Sequence, residues 1–204
     1  MQKTKISWCD YTINPVKGLC LQGCFYCYAR RMYKRFKWNE VVRFDIKELN
    51  KIAIIKNPSK IFICSTHDLF GKWVKDEWIK AIIIMTELYP QHTFMLLTKN
   101  PVRMSMFEFP KNCWLGVTET GKGMLLDDWQ EIIKPNHRFI SFEPLLAPIT
   151  QSIPVDTDLV IIGAMTGAGR KNYLPKKKWV DDIVNEARHI GAKIHFKDNL
   201  ETRD

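Results

Sequence analysis

Three cysteines on one short segment are the residues of this chain best suited to do chemistry. The segment reads Cys20-Leu21-Gln22-Gly23-Cys24-Phe25-Tyr26-Cys27-Tyr28. Its spacing is C-x3-C-x2-C, with an aromatic residue directly before the last cysteine. Thiolates are the usual ligands of iron–sulfur clusters. Three close thiolates can hold three irons of a cubane and leave the fourth iron without a protein ligand. That iron becomes a chemical site, much as catalytic zinc keeps an open position. Gly18 and Gly23 let the loop curl round an inorganic core without Cβ clashes. Structural zinc is the alternative. It needs a fourth ligand, which His67 or Cys64 could supply, but no second CxxC or HxxxH pair stands elsewhere in the chain. Cys9, Cys64 and Cys113 stand apart from the cluster; Cys64 and Cys113 read as small core residues within strands.

The loop needs a scaffold, and the rest of the sequence supplies one by alternating short apolar runs with helical patterns. Lys60–Cys64, Thr93–Leu97, Cys113–Val117, Arg138–Phe142, Leu159–Ile162 and Lys193–Phe196 read as strands. Between them, Asp76–Tyr89 reads as a helix with Trp78, Ile79, Ile82, Ile83 and Leu88 on one face, closed by Pro90. Leu125–Ile133 can form a short helix. Trp179–Ile190 forms another, aligned through Trp179, Val180, Ile183, Val184, Ala187 and Ile190 and stopped by Gly191. Apolar strands separated by helices belong to a parallel sheet with covered faces. A complete eight-unit barrel needs about 250 residues, and this chain has 204. The expectation is therefore one α/β domain over residues 1–204, an incomplete, open parallel β/α barrel of six or seven units. A doubly wound sheet is the alternative.

Polar residues gather just after these strands. Ser65, Thr66, His67 and Asp68 follow the first, Thr98 and Lys99 the second, Thr118 and Glu119 the third. Glu143, Gly163, and Lys197 with Asp198 follow the others. In a β/α barrel all of these fall on the C-terminal rim, where active sites are built. Caps and ion pairs are the competing roles for Ser65, Thr66, Asp68 and Glu143. His67 reads as a structural hydrogen-bonder.

Charge narrows the partners. The net charge is +9, with 13 Lys and Arg against 4 Asp and Glu in residues 1–60 and 18 of each in the remainder. The excess therefore surrounds the cysteine loop, residues 18–28, and a basic helix over about 28–38 that carries Arg30, Arg31, Lys34, Arg35 and Lys37. Such a surface draws nucleic acid or an acidic protein, and Tyr33 and Phe36 beside it could stack on bases. No apolar run approaches the roughly 20 residues of a membrane span, and the first residues lack the apolar core of a signal peptide. A cytoplasmic protein without membrane association is the expectation.

The cysteine segment resembles the radical S-adenosylmethionine (SAM) signature, C-x3-C-x-aromatic-C, with Tyr26 at the aromatic position. Further segments recur in the same order in the phage-associated three-Cys-motif radical SAM-like family of unknown function. They are Trp8–Pro15, Ser65–Phe70, Leu97–Pro101, Trp114–Val117, Ser141–Leu146 and Val160–Gly163. The resemblance spans residues 6–200. Two stretches differ: Gly163-Ala164-Met165-Thr166-Gly167 stands where the family has Gly-Gly-Glu-Ser-Gly, and Thr118-Glu119 where it has Ser-Val-Glu.

The resemblance implies a barrel of radical SAM type and a [4Fe–4S] cluster on Cys20, Cys24 and Cys27. It also implies S-adenosyl-L-methionine on the open iron and a 5′-deoxyadenosyl radical that abstracts hydrogen from an unidentified substrate. Nucleic acid or a nucleotide is the preferred substrate class. The resemblance places Tyr26 beside the adenine of SAM. It makes Ser65, Thr66, Asp68, Thr98, Lys99, Thr118, Glu119 and Glu143 candidates for SAM or substrate contacts. An acidic electron donor of flavodoxin or ferredoxin type would then dock on the basic surface. An iron–sulfur module that binds nucleic acid or protein without turnover is the alternative function.

Overall fold

The computed structural model describes residues 3–123, 129, 136–167 and 169–204. Its frame is a curled, open half-barrel of seven parallel strands. They are β1 (Tyr11–Ile13), β4 (Lys60–Ile63), β5 (Thr93–Thr98), β6 (Cys113–Thr118), β7 (Arg138–Phe142), β8 (Leu159–Ile162) and β9 (Lys193–Phe196), hydrogen-bonded in that order. Every pairing is parallel and the order never reverses. A doubly wound sheet reverses at its switch point, so this sheet is singly wound, as in a barrel. A small antiparallel pair, β2 (Val16–Lys17) with β3 (Arg43–Phe44), stands beside it.

All the described α-helices but the first pack on the convex face. α1 (Tyr28–Phe36) and α2 (Ile46–Leu49) lie between β1 and β4, α3 (Asp76–Leu88) between β4 and β5, and α4 (Pro101–Met104) between β5 and β6. α5 (Lys177–His189) lies between β8 and β9. α3 buries Ile79, Ile82 and Thr86, spaced by three and four residues. Leu88 was expected on that face but is 66% exposed. At 100° per residue it lies half a turn from Ile79. Thr86 takes the buried place, donating its hydroxyl to the Ile83 carbonyl at 2.7 Å and meeting Cys113 Sγ at 3.3 Å. α1 ends at Phe36, short of the expected Trp38, because Lys37 turns left-handed (φ 51°) and its N–H caps the Tyr33 carbonyl. Cys64 lies one residue past β4, at φ 61°, rather than inside the strand. The short helix expected over 125–133 falls largely outside the described residues. No helix among the described residues is long and apolar enough to cross a membrane.

Because strand side chains alternate, the sheet sorts its residues onto two faces. Ile61, Ile63, Phe94, Leu96, Ile140, Phe142, Val160 and Ile162 pack under the helices. Phe62, Met95, Phe139 and Ile161 point to the concave side with Trp8 and Cys9. Trp8 floors the half-barrel, its ring 4.7 Å from Phe62 and 6.1 Å from Phe139. The segment before β1 is tied to the far edge of the sheet by Ser7 Oγ and His195 Nε2, 2.8 Å apart.

Gly116 in β6 makes this floor possible, since a Cβ there would overlap the Phe139 ring. Gly116→Ala should therefore destabilise the protein by about 1–3 kcal/mol, the usual cost of overpacking. The urea midpoint measures it, with the slope unchanged. Adding Phe139→Leu to the variant should recover part of the loss. An unchanged midpoint in Gly116→Ala would contradict this packing.

Candidate functional site

All seven parallel strands end on one edge, and the loop carrying the cysteines leaves that edge after β1. The two together enclose a cavity of about 680 Å³. Cys20, Cys24 and Cys27 line it, as do Tyr26, Ser65, Thr66, Asp68, Thr98, Lys99, Thr118 and Glu143. Eleven of the twelve residues singled out from the sequence thus share one space. Glu119 does not line it: its carboxylate accepts the N–H groups of Thr120 (2.7 Å) and Gly121 (2.8 Å), and only 2% of it is exposed. That role belongs to the turn after β6.

The cysteine loop is held at its base. Gly18 adopts φ 102°, and a Cβ there would strike the Val41 carbonyl. Its N–H donates to the Tyr33 hydroxyl at 2.8 Å, and its carbonyl lies 3.1 Å from His67 Nδ1. Trp73 Nε1–H donates to His67 Nε2 at 2.7 Å. Nε2 must therefore be unprotonated, and Nδ1 carries the proton toward Gly18. Burial lowers the His67 pKa, which agrees with a neutral ring.

Further along, Arg30 Nη2 donates to the Cys20 carbonyl at 3.0 Å. Cys27 caps α1, its sulfur accepting the Arg30 N–H at 3.5 Å. Gly23, between the first two cysteines, sits at φ 72°, and a Cβ there would meet only the Leu21 carbonyl oxygen, at 3.8 Å. The loop is thus fixed at Gly18 and adjustable at Gly23. Arg31 reaches across the opening and donates to the Thr166 carbonyl at 2.6 Å, beyond β8. Arg30 and Arg31 were expected on a docking face; the fold uses both as internal ties. Tyr33 is likewise buried and unable to stack on a ligand.

The wall opposite the loop is strongly hydrogen-bonded. Asp68 accepts from Thr98 Oγ1 (2.6 Å), the Lys99 N–H (2.9 Å) and the Phe70 N–H (3.0 Å), locking the exits of β4 and β5 together. It acts as a positioning residue. Asn14, which the sequence reading passed over, is a second hub. Its Oδ1 accepts from Ser65 Oγ, the Thr66 N–H and Thr66 Oγ1 at 3.1–3.2 Å. Its signal was its place just after a strand too short to read as one. Glu143 and Lys197 pair at 2.5 Å on the far wall.

Burial disfavours the charged forms of Cys20, Tyr26 and Tyr28. Burial pushes the Cys20 thiol up, against backbone hydrogen bonds from Asp68 and Gln22. Tyr26 is pushed up by burial and then by Cys24, with which it shares a side-chain hydrogen bond. Lys99 Nζ lies 5.8 Å from the centre of the Tyr26 ring. Tyr28 is pushed up to about 12 by burial and donates to the Ser65 carbonyl at 2.6 Å. Cys64 and Cys113 rise to about 12 and about 11 by burial, as expected of core thiols.

The neutral His67 sets a pH dependence. Its folded pKa lies below the ordinary value of about 6.5, so the unfolded chain binds the extra proton first. Stability is full above about pH 6.5 and falls as pH drops through that value. His67→Asn should flatten the slope of urea midpoint against pH between about 7 and 5. An equal slope in the variant would contradict this assignment.

Residues 3–202 match a family model described as a protein of unknown function, DUF5131. No curated protein and no solved structure matches the chain. Because the match covers nearly the whole sequence, the chain belongs to the DUF5131 family.

Proposed function

We propose that this protein is a radical SAM enzyme. The observation that carries the reading is the convergence of the C-x3-C-x2-C cysteines and the strand-exit polar residues on one cavity of a parallel half-barrel. The donor set suits an iron–sulfur cluster: three thiols on a loop with a fixed base and one unhindered glycine. Among the described residues no three His, Cys, Asp or Glu side chains are already arranged round a metal position. Closing the three sulfurs round a [4Fe–4S] core is therefore work for the loop, and Gly23 is where it can bend.

Cys20, Cys24 and Cys27 would hold the cluster, which supplies one electron to the sulfonium of SAM and so a 5′-deoxyadenosyl radical for hydrogen abstraction. The rest is done by the protein. Tyr26, on the loop between the second and third thiols, gives SAM an aromatic face next to the cysteines. Ser65 and Thr66 are aimed by Asn14, and Thr98 and the Lys99 backbone by Asp68. Thr118, Lys99 and the Glu143–Lys197 pair present hydroxyl, ammonium and carboxylate groups to the molecules the cavity holds. Trp8 and Phe62 seal the floor, and the Arg31 tie to Thr166 holds the loop side of the rim to the β8 exit. The electron comes from a donor of flavodoxin or ferredoxin type in a reducing cytoplasm.

The test is anaerobic reconstitution with iron and sulfide, followed by SAM and dithionite. Wild type should take up about four irons per chain and release 5′-deoxyadenosine, detected by mass spectrometry. Cys24→Ala should lose both. Zinc in place of iron, or 5′-deoxyadenosine no higher than in Cys24→Ala, would contradict the proposal.

A further inference from the structure

The mouth of the cavity carries an exposed aromatic and basic ledge that the chemistry above does not use. Phe36 ends α1 and is 51% exposed; Trp38 follows the cap and is 43% exposed. Their rings stack, with centroids 5.4 Å apart and planes 24° apart. The Arg35 guanidinium lies 5.3 Å from the centre of the Phe36 ring, and Lys34 and Lys37 flank the pair in solvent. Tyr33 props Trp38 edge-on from below at 5.3 Å. Exposed aromatic rings are costly to leave in water, and these are held in place rather than folded inward.

Trp38 also lies on the wall between two cavities. It lines the large one, and with Asn14 and Thr66 it lines a second of about 350 Å³. Lys17, Arg43 and Glu48 border that second space, and Lys17 pairs with Asp45 at 2.8 Å and with Glu48 at 3.6 Å. Arg43 spends its donors on the carbonyls of Asn39 and Val41. Trp38 thus joins the cysteine cavity to a polar recess of mixed charge, with Phe36 stacked on it at the surface.

Rings flanked by cations are what single-stranded nucleic acid needs: faces for bases and charges for phosphates. An acidic protein would use the lysines but has no use for a stacked ring pair beside a cavity. A duplex keeps its bases stacked on each other and must unpair and flip one out, at a cost in energy, before a ring or the cavity can receive it. We infer that this ledge binds single-stranded nucleic acid. Bases stack on Phe36 and Trp38, Lys34, Arg35 and Lys37 hold phosphates, and the adjoining nucleotide enters the cavity as substrate. The inference rests on the radical SAM reading for what happens to that nucleotide, but the binding stands or falls separately.

The experiment is fluorescence anisotropy of labelled oligothymidylate, oligouridylate and a mixed-sequence duplex with the full chain over a salt series. Flavodoxin is tested alongside. Wild type should bind one or both single strands more tightly than the duplex; the thymidylate and uridylate arms tell DNA from RNA. Phe36→Ala should weaken binding about 5- to 150-fold, the loss of one stacked base. Lys34→Gln with Lys37→Gln should make the log–log salt slope shallower by about 1.4, the release of counterions from two phosphates of a single strand. All three positions are exposed, and unchanged urea midpoints establish that the variants fold.

No binding to either single strand at low salt would overturn the inference, as would equal affinity for the duplex or variants that bind like wild type. Binding of flavodoxin alone would assign the surface to an electron donor and overturn it too. Formation of 5′-deoxyadenosine without oligonucleotide binding would sink this inference and leave the enzyme reading standing. Binding without 5′-deoxyadenosine would support the ledge and overturn the chemistry assigned to the cavity.

Discussion

Parallel pairing is the constraint on which everything else here depends. Seven strands running one way must all finish on the same edge, and a backbone that has just left a strand is free to aim polar side chains. The edge therefore gathers Asn14, Ser65, Thr98, Thr118, Glu143 and Lys197 from six strands far apart in sequence. The alternation of side chains does the rest. One face feeds the core under the helices, and the other meets Trp8, which closes the floor. An antiparallel sheet of the same residues would have scattered these groups over both ends.

The cysteine loop is an irregular stretch on that edge, and its shape is secured by neighbours rather than by its own backbone pairing. The Gly18 peptide is held from both sides by Tyr33 and His67. Arg30 holds Cys20, and Arg31 bridges to the β8 exit. Charged groups bonded to backbone carbonyls in partly buried places contribute more than exposed pairs do. The basic character of the N-terminal third thus divides in two. Arg30 and Arg31 build the mouth of the cavity, and Lys34, Arg35 and Lys37 face solvent on the next turn.

Much of this was legible in the sequence. The six longer strands were readable because each is a continuous apolar run, and five of them match the structure to the residue or end one residue further on. β1 was not readable: Tyr11–Ile13 is three residues long, and its pairing with β4 depends on partners fifty residues away. Asn14 went unnoticed with it. The cysteine motif declared itself through spacing, but the inward turn of Arg30 and Arg31 did not. A helical wheel gives the direction of a side chain and not the carbonyl it will find. Glu119 shows the same limit. It stands at a strand exit like its neighbours, yet two backbone N–H groups of the next turn capture it. The Phe36–Trp38 stack was hidden because Lys37 breaks the helix between them with a left-handed cap.

The central claim is that the three cysteines present an open iron to the cavity beneath them. Electron paramagnetic resonance of the reduced, reconstituted protein tests it directly, by comparing spectra before and after SAM is added. The account predicts a [4Fe–4S]⁺ signal whose g-values shift on SAM addition, because SAM binds the iron that lacks a cysteine. A signal that SAM leaves unchanged, or no cluster signal at all, would contradict it.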